Sequence, residues 1–312
     1  MSNKITAVII LLVIGLIIWV LSRYDLNLVF NEILMLEQSA LFLALGFTAL
    51  NYLVLTFYDA LAFKYIKEDL SFGRIGLTAF LSYSFSHNVG AALVSGGAVR
   101  YRMYSRWGIS GANIARIVVF TGFHYWVGLF VLGAVVGIIF PSDFAEIYPI
   151  GKTTVISLAA LCLLPVAYYF YLTLQPGKKL SIKNFHMDVP PLKLAALALI
   201  VACLDWLCAA TVLYFLLPGY HDLSFLEGVI AYLGAQMAAV SSHVPGGIGV
   251  FESVLFLFLQ SHYRAEALLG SLLLFRFCYY FLPFFLAAVL YIIYELKLHK
   301  VLFRRIRDKI EL

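Results

Sequence analysis

Charge is scarce in this chain. Only 12% of its 312 residues are Asp, Glu, Lys or Arg, about half the share of an ordinary soluble domain. That excludes a solvated surface over most of its length. Cysteine is equally thin: Cys162, Cys203, Cys208 and Cys278 lie in apolar runs, and none forms a Cys-x-x-Cys pair. Neither a disulfide frame nor a thiolate zinc site fits, so the four read as small packing residues. Local histidine pairs are missing too. His87, His124 and His243 stand apart in apolar runs, whereas a metal needs three or four converging ligands; they read as satisfied buried histidines. No Gly-x-Ser-x-Gly elbow marks a hydrolase. The longest polar loop, Gln175–Pro191, has 17 residues, too few for a catalytic domain, though enough for a small hairpin around Lys183-Asn184. Neither a metal nor another cofactor is expected.

What is present is apolar sequence, 63% of the chain, in recurring runs long enough to cross a hydrocarbon core. The runs do not alternate in short segments as barrel strands do. The fold class is therefore all-α and polytopic. The net charge of +5 is no nucleic-acid signal. Six of the 22 Lys and Arg residues fall in the last 16 positions, Lys297 to Lys309 among them, a basic tail suited to an anionic cytoplasmic leaflet. The run Ile5–Leu21 lacks a following small-x-small cleavage site and reads as a retained anchor.

Basic loops mark the cytoplasmic side, and this orders the chain. Ile5–Leu21 and Ala40–Phe63 cross; a mildly acidic outer loop joins them, and Lys64–Arg74 is inside. Ile75–Val99 has basic flanks at both ends, Lys64, Lys67 and Arg74 before it and Arg100, Arg102 and Arg106 after it. Its middle, Ser86-His87-Asn88-Val89-Gly90, is polar. A re-entrant hairpin or two short helices fits better than one straight span. Asn113–Phe140, Thr153–Leu174 and Leu192–Leu217 cross in turn. Phe225–Gln260 should start and finish outside, because the last span, Ala265–Glu295, must end at the basic tail. The expectation is one membrane domain over 1–312, with six full spans, two re-entrant or short broken helix pairs, and both termini cytoplasmic. Residues 40–140 and 192–296 read as inverted repeats, an arrangement of transporters, and 297–312 as the basic cytoplasmic tail.

The second break carries the densest chemistry. Gln236–Glu252 reads QMAAVSSHVPGGIGVFE, and a carboxylate at membrane depth is costly enough to imply a task. Glu252 fits two readings equally: a helix-start acid favoured by the macrodipole, or a salt-bridging acid in a cavity. Arg276 is flanked by apolar and aromatic residues, so a partner is implied; Glu252, Asp205 and Asp59 are candidates. Arg100, Arg102, Arg116 and Arg276 are each open to a structural ion-pair role, the commoner one, or to bidentate contact with a lipid phosphate. Asp59 and His243 complete the substrate-binding candidates. Gly96, Gly97, Pro245, Gly246, Gly247 and Gly249 are the hinge and close-approach candidates.

Tyr58-Asp59, Ser82-Tyr83-Ser84-Phe85-Ser86-His87-Asn88, Gly96-Gly97-x-x-Arg100-Tyr101-Arg102, Pro245-Gly246-Gly247-Ile248-Gly249-Val250-Phe251-Glu252 and the Arg276 run ending in Leu282-Pro283 resemble the membrane region of lysylphosphatidylglycerol synthases. The likeness is nearest to stand-alone bacterial inner-membrane members, which consist of this region alone. It covers nearly the whole chain. In two-part members this region is held to flip aminoacylated phosphatidylglycerol, which a separate soluble domain makes. The resemblance therefore implies a non-enzymatic lipid flippase or transporter acting on an anionic phospholipid or glycolipid, without aminoacyl transfer. A homo-oligomer or a lipid-synthesis partner is compatible with it. A membrane-embedded transferase acting on a lipid carrier, a non-catalytic partner subunit and a small-ion transporter stay open as other classes.

Overall fold

The structure, a computed structural model, describes residues 26–89, 92–175, 177–182, 185–219, 223–242 and 244–310. The expected first span, Ile5–Leu21, lies outside them. Among the described residues five helices are long and apolar enough to cross a membrane. These are α2 (Gln38–Ile66), α5 (Gly111–Ile139), α7 (Lys152–Thr173), α8 (Leu192–Leu216) and the continuous run Ala265–Lys297. They fall on the five remaining spans read from hydropathy. The chain is an all-α, multi-pass membrane protein.

The ends of these helices follow local chemistry. Ser110 opens α5 by accepting the backbone N–H of Asn113 at 3.2 Å, satisfying one of the orphan donors of a first turn. Lys67 closes α2 in the left-handed conformation, with φ 58°. In the 29 residues of α2, a rise of about 1.5 Å per residue gives roughly 43 Å of length, ample for a tilted span. The expected outer loops hold short helices of their own: α1 (Leu26–Met35), which lies on α11 (Ala265–Phe275), and α6 (Pro141–Ile147). The long polar loop forms an antiparallel hairpin, β1 (Lys179–Ile182) with β2 (Phe185–Asp188), in which Lys179 faces Asp188 and Ile182 faces Phe185. It is tied to the end of α2 by the Tyr65 hydroxyl, which donates to the Asp188 carbonyl at 2.6 Å.

The two segments expected to double back are broken helix pairs. The first is α3 (Phe72–Val89) followed by α4 (Ala92–Ser105); the second is α9 (Phe225–Ser241) followed by α10 (Val250–Leu259). Within each pair the two helices pack on each other. α9 starts with a reciprocal cap: Ser224 Oγ accepts from the Glu227 N–H, and Glu227 accepts from the Ser224 N–H at 2.7 Å. Such a box fixes where a helix begins.

α8 is the core of the bundle, packed against α2, α5 and α9. Lipid is as apolar as leucine, so helices in it associate through close packing and polar contacts. Gly128 of α5 shows the first: a Cβ there would collide with Ala202 of α8, its carbonyl carbon 2.9 Å away. Trp206 of α8 shows the second, donating its indole N–H to the Tyr125 carbonyl at 3.0 Å. α7 is peripheral, and its exposed Leu158, Leu161, Leu164 and Tyr168 form a lipid-facing side.

Candidate functional site

The first break brings a buried arginine to a buried aspartate. α4 returns against α3 because Gly96 has no side chain; a Cβ there would overlap Ser86 Oγ and lie 3.3 Å from the Ser82 carbonyl. Gly97 meets no such demand, its nearest neighbour being a Val118 methyl at 3.7 Å. One turn on, Arg100 donates from Nε to Asp59 Oδ2 at 2.9 Å and from Nη2 to Oδ1 at 2.7 Å. The Tyr104 hydroxyl donates to Asp59 Oδ2 at 2.7 Å, and the guanidinium carbon sits 4.6 Å from the Tyr83 ring centroid. Both charges are withdrawn from solvent, Arg100 3% and Asp59 0% exposed. A two-pronged charge-assisted pair of this kind is the geometry that lets a buried arginine exist.

At the end of α4 the arginines turn outward. Arg102 and Arg106 both pair with Glu295, at 3.0 Å and 2.9 Å, which ties α4 to α12 (Leu282–Ile310). Arg116 makes no ion pair among the described residues. Its Nη1 donates to Asn113 Oδ1 at 3.0 Å, and Asn113 donates in turn to Glu68. Of the two roles open to Arg116, the ion pair is not seen among the described residues; an i−3 amide on its own helix takes the place of an acid.

The second break is built on positive backbone angles. Residues Pro245–Gly247 form a single 3-10 turn, in which Gly246 has φ 64° and Gly247 φ 60°. Gly249, with φ 85°, precedes α10. Residues with a Cβ rarely adopt these angles. Glu252 makes two contacts, one at the helix start and one to an arginine. Oε2 accepts from the Gly249 N–H at 2.8 Å, while Oε1 accepts from Arg276 Nε. Arg276 Nη1 donates to the Gly246 carbonyl at 2.8 Å. Its Nη2 is buried with no acceptor among the described residues. The guanidinium carbon lies 4.7 Å from the Tyr280 ring centroid and 5.5 Å from that of Phe251. Arg276 also begins a π-helical segment, Arg276–Phe281, a local widening of the kind found at functional positions.

The two breaks meet. A Cβ on Gly246 would lie 3.4 Å from the His87 carbonyl oxygen at the end of α3. Asn88, next in the chain, donates to the Tyr280 carbonyl at 3.1 Å. The His87 ring stacks on Tyr279, with centroids 5.9 Å apart at 17°, and Tyr52, Tyr83 and Tyr280 surround it. Its Nδ1 is buried without a partner among the described residues, a correction to its reading as a satisfied histidine. Tyr279 continues inward, donating from its hydroxyl to Asn51 Oδ1 at 2.8 Å. Asn51 of α2 donates to Asp205 of α8, to Oδ1 at 2.8 Å and to the backbone carbonyl at 2.9 Å. The Tyr58 hydroxyl donates to Asp205 Oδ2 at 3.2 Å.

Of the residues singled out from sequence, the structure joins Asp59 to Arg100, Glu252 to Arg276, and Gly246 to both Arg276 and the tip of the first pair. His243 lies outside the described residues, so its distance from Glu252 is not defined. Asn51, Tyr104 and Tyr279 went unnoticed. An amide in the middle of an apolar run, as in Leu50-Asn51-Tyr52, was the one available signal. Among the described residues no three His, Cys, Asp or Glu side chains converge as metal ligands. An apolar cavity of about 250 Å³ lies between α5, α6, α7 and α9, lined by residues such as Phe130, Gly133, Tyr148 and Met237. It contains none of the charged residues above.

Comparison with known proteins bears on what this arrangement belongs to. The uncharacterized protein slr0712 of Synechocystis sp. is 34% identical over 265 residues, covering 82% of this chain and 80% of its own. The inner membrane protein YbhN of Escherichia coli is 29% identical over 294 residues, covering 93% and 91%. A phosphatidylglycerol lysyltransferase of Staphylococcus aureus is 26% identical over 242 residues, which are 76% of this chain but only 27% of that one. The profile of the lysylphosphatidylglycerol synthase TM region matches residues 5–287, a span that takes in both helix breaks and both buried ion pairs, and the chain belongs to that family.

Proposed function

We propose that the protein moves an amphiphile with an anionic headgroup, a phospholipid or glycolipid, between the leaflets of a bacterial inner membrane. The observation that carries this reading is the meeting of two broken helix pairs, each holding a buried arginine by a carboxylate. Arg276 keeps one amino group, Nη2, without an acceptor among the described residues. A lipid phosphate offers what Asp59 supplies to Arg100, and Glu252 together with the Gly246 carbonyl to Arg276: two oxygens for one guanidinium. Exchange of carboxylate for phosphate would keep the guanidinium paired as a headgroup enters, and Glu252 would keep the Gly249 N–H as a donor. The glycine turn at Gly246–Gly249 supplies the backbone freedom for the tip to part. Both termini would lie in the cytoplasm, and residues 40–140 and 192–296 would act as opposed repeats that rock about the shared centre. The name of the lysyltransferase relative points to phosphatidylglycerol as the first lipid to try. Transport of this kind requires no enzymatic step and no cofactor.

One observation favours a second reading. Both arginines are closed on acids, and the apolar cavity of about 250 Å³ lies apart from them. A non-catalytic subunit that stabilises a lipid-modifying partner would look the same. A small-ion pore fits less well, because two arginines stand at the centre.

Reconstitution separates the readings. The purified protein is placed in liposomes bearing fluorescent phospholipids of several headgroups, and the rate at which label becomes accessible in the other leaflet is followed. A rate above that of empty liposomes for at least one headgroup supports transport. Equality with empty liposomes for every headgroup contradicts it and leaves the subunit reading.

A further inference from the structure

Asp205 is used by neither ion pair. It is 3% exposed, at the centre of α8, and no Lys, Arg or His lies within ion-pair distance among the described residues. The contrast with Asp59 is direct. Four residues after Gly96 comes Arg100, which neutralises Asp59. Four residues after Gly246 comes Val250. A carboxylate this deep without a cation is far costlier than the neutral acid. Its neighbours are neutral: Asn51 and Tyr58 of α2 touch it.

Among the described residues, the titratable groups within electrostatic reach of it are also uncharged hydroxyls and a thiol. α2 contributes Tyr52 and Tyr58, α3 contributes Tyr83, and α5 contributes Tyr125. α9 contributes Tyr232, the π-helical segment Tyr279 and Tyr280, and α8 itself Cys208. No charged group on α7 or α11 acts on it among the described residues.

We infer that Asp205 is a proton-binding site: the carboxyl takes up a proton from water on one side, as –COO⁻ + H⁺ → –COOH, and returns it to water when the helices rearrange. A metal cation fits the geometry poorly. Among the described residues the side-chain groups touching the carboxylate are an amide N–H and a hydroxyl, and the Asn51 amide oxygen, Oδ1, already accepts from Tyr279. The same contacts give the proton a mechanical consequence. Loss or gain of charge on Asp205 changes the hold on Asn51, and Asn51 holds Tyr279, three residues from Arg276. The proton site stands on this geometry alone; its use to drive lipid movement rests on the function proposed above.

Infrared difference spectroscopy on the whole protein in lipid tests the site without any transport assay. Spectra are taken between acid and alkaline buffer, in H₂O and D₂O. The expected result is a protonated-carboxyl carbonyl band that shifts in D₂O, disappears in alkali, is absent in Asp205→Asn and is retained in Asp59→Asn. Absence of such a band from the wild type, or its survival in Asp205→Asn, overturns the inference. Should Asp205→Asn not fold, Tyr58→Phe serves: losing a donor to the charged form moves the midpoint of the band to more alkaline pH, and an unchanged midpoint overturns the inference. Transport is read separately. Exchange that responds to an imposed pH gradient in the wild type and not in Asp205→Asn supports coupling. Exchange that ignores the gradient, with the band present, removes the coupling and leaves both the proton site and transport standing.

Discussion

Arg276 ties the turn of the second helix break to the helix that follows it, donating from Nε to Glu252 at the start of α10 and from Nη1 to the Gly246 carbonyl in the turn before it. One guanidinium thus holds the tip of a broken helix in place. The first break has a parallel device in Arg100 and Asp59, with both prongs on the carboxylate.

These buried pairs should be non-additive in stability. Removing one partner of a buried pair strands the other and costs about 3–5 kcal/mol. Asp59→Asn and Arg100→Ala should each lower the unfolding midpoint in detergent substantially. The double variant should fall no further than the worse single one. Additive losses would mean that the two side chains do not act together.

Close approach of α5 and α8 should make Gly128 intolerant. Gly128→Val forces a side chain into Ala202, and overpacking of this kind costs about 1–3 kcal/mol. Gly133 is the control: on the same helix, nothing lies within 4 Å of where its Cβ would stand. Gly133→Ala should leave the thermal midpoint unlowered, and can raise it through the better helix propensity of alanine.

Backbone angle, not space, governs Gly246. Its φ of 64° costs an ordinary residue about 1–2 kcal/mol. Gly246→Ala should lower stability by that amount and loosen the tip that meets His87. Faster hydrogen exchange at residues 244–252, with the rest of the chain unaltered, is the expected pattern.

Asn51 should matter more than its size suggests. It joins Asp205 to Tyr279 through three hydrogen bonds, and leaving such buried groups unsatisfied costs about 1–3 kcal/mol each. Asn51→Leu should destabilise clearly more than Thr48→Val. Among the described residues the Thr48 hydroxyl bonds within its own helix, to the Ala44 carbonyl.

Much of this architecture was legible from sequence, for identifiable reasons. Hydropathy over some twenty residues fixes a span, and the five described spans follow it to within a few residues. Polar and glycine residues inside an apolar run cost too much to be incidental, which is why both breaks were visible. The partner of Arg276 could be narrowed to three acids because a bare guanidinium in lipid is so unfavourable. What composition does not encode is register. Nothing in Arg276-Phe277-Cys278-Tyr279-Tyr280-Phe281 announces a π-helical segment, yet it turns Tyr279 toward Asn51 and Tyr280 toward Arg276. The partner of Arg116 was not legible for a related reason: charge alone does not tell whether a helix end offers an amide in place of an acid. The helices α1 and α6 were hidden because their short apolar stretches sit among loop residues.

The central claim, that the joined breaks form the path of a lipid headgroup, is tested most directly by leaflet exchange in liposomes. Wild type, Glu252→Gln and Arg276→Ala would be compared with Glu32→Gln, which alters a surface pair with Arg264. The account predicts wild-type exchange above that of empty liposomes, a fall of at least about ten-fold in both site variants, corresponding to roughly 1.4 kcal/mol, and no change in Glu32→Gln. Site variants that are folded and exchange lipid as fast as the wild type would contradict it.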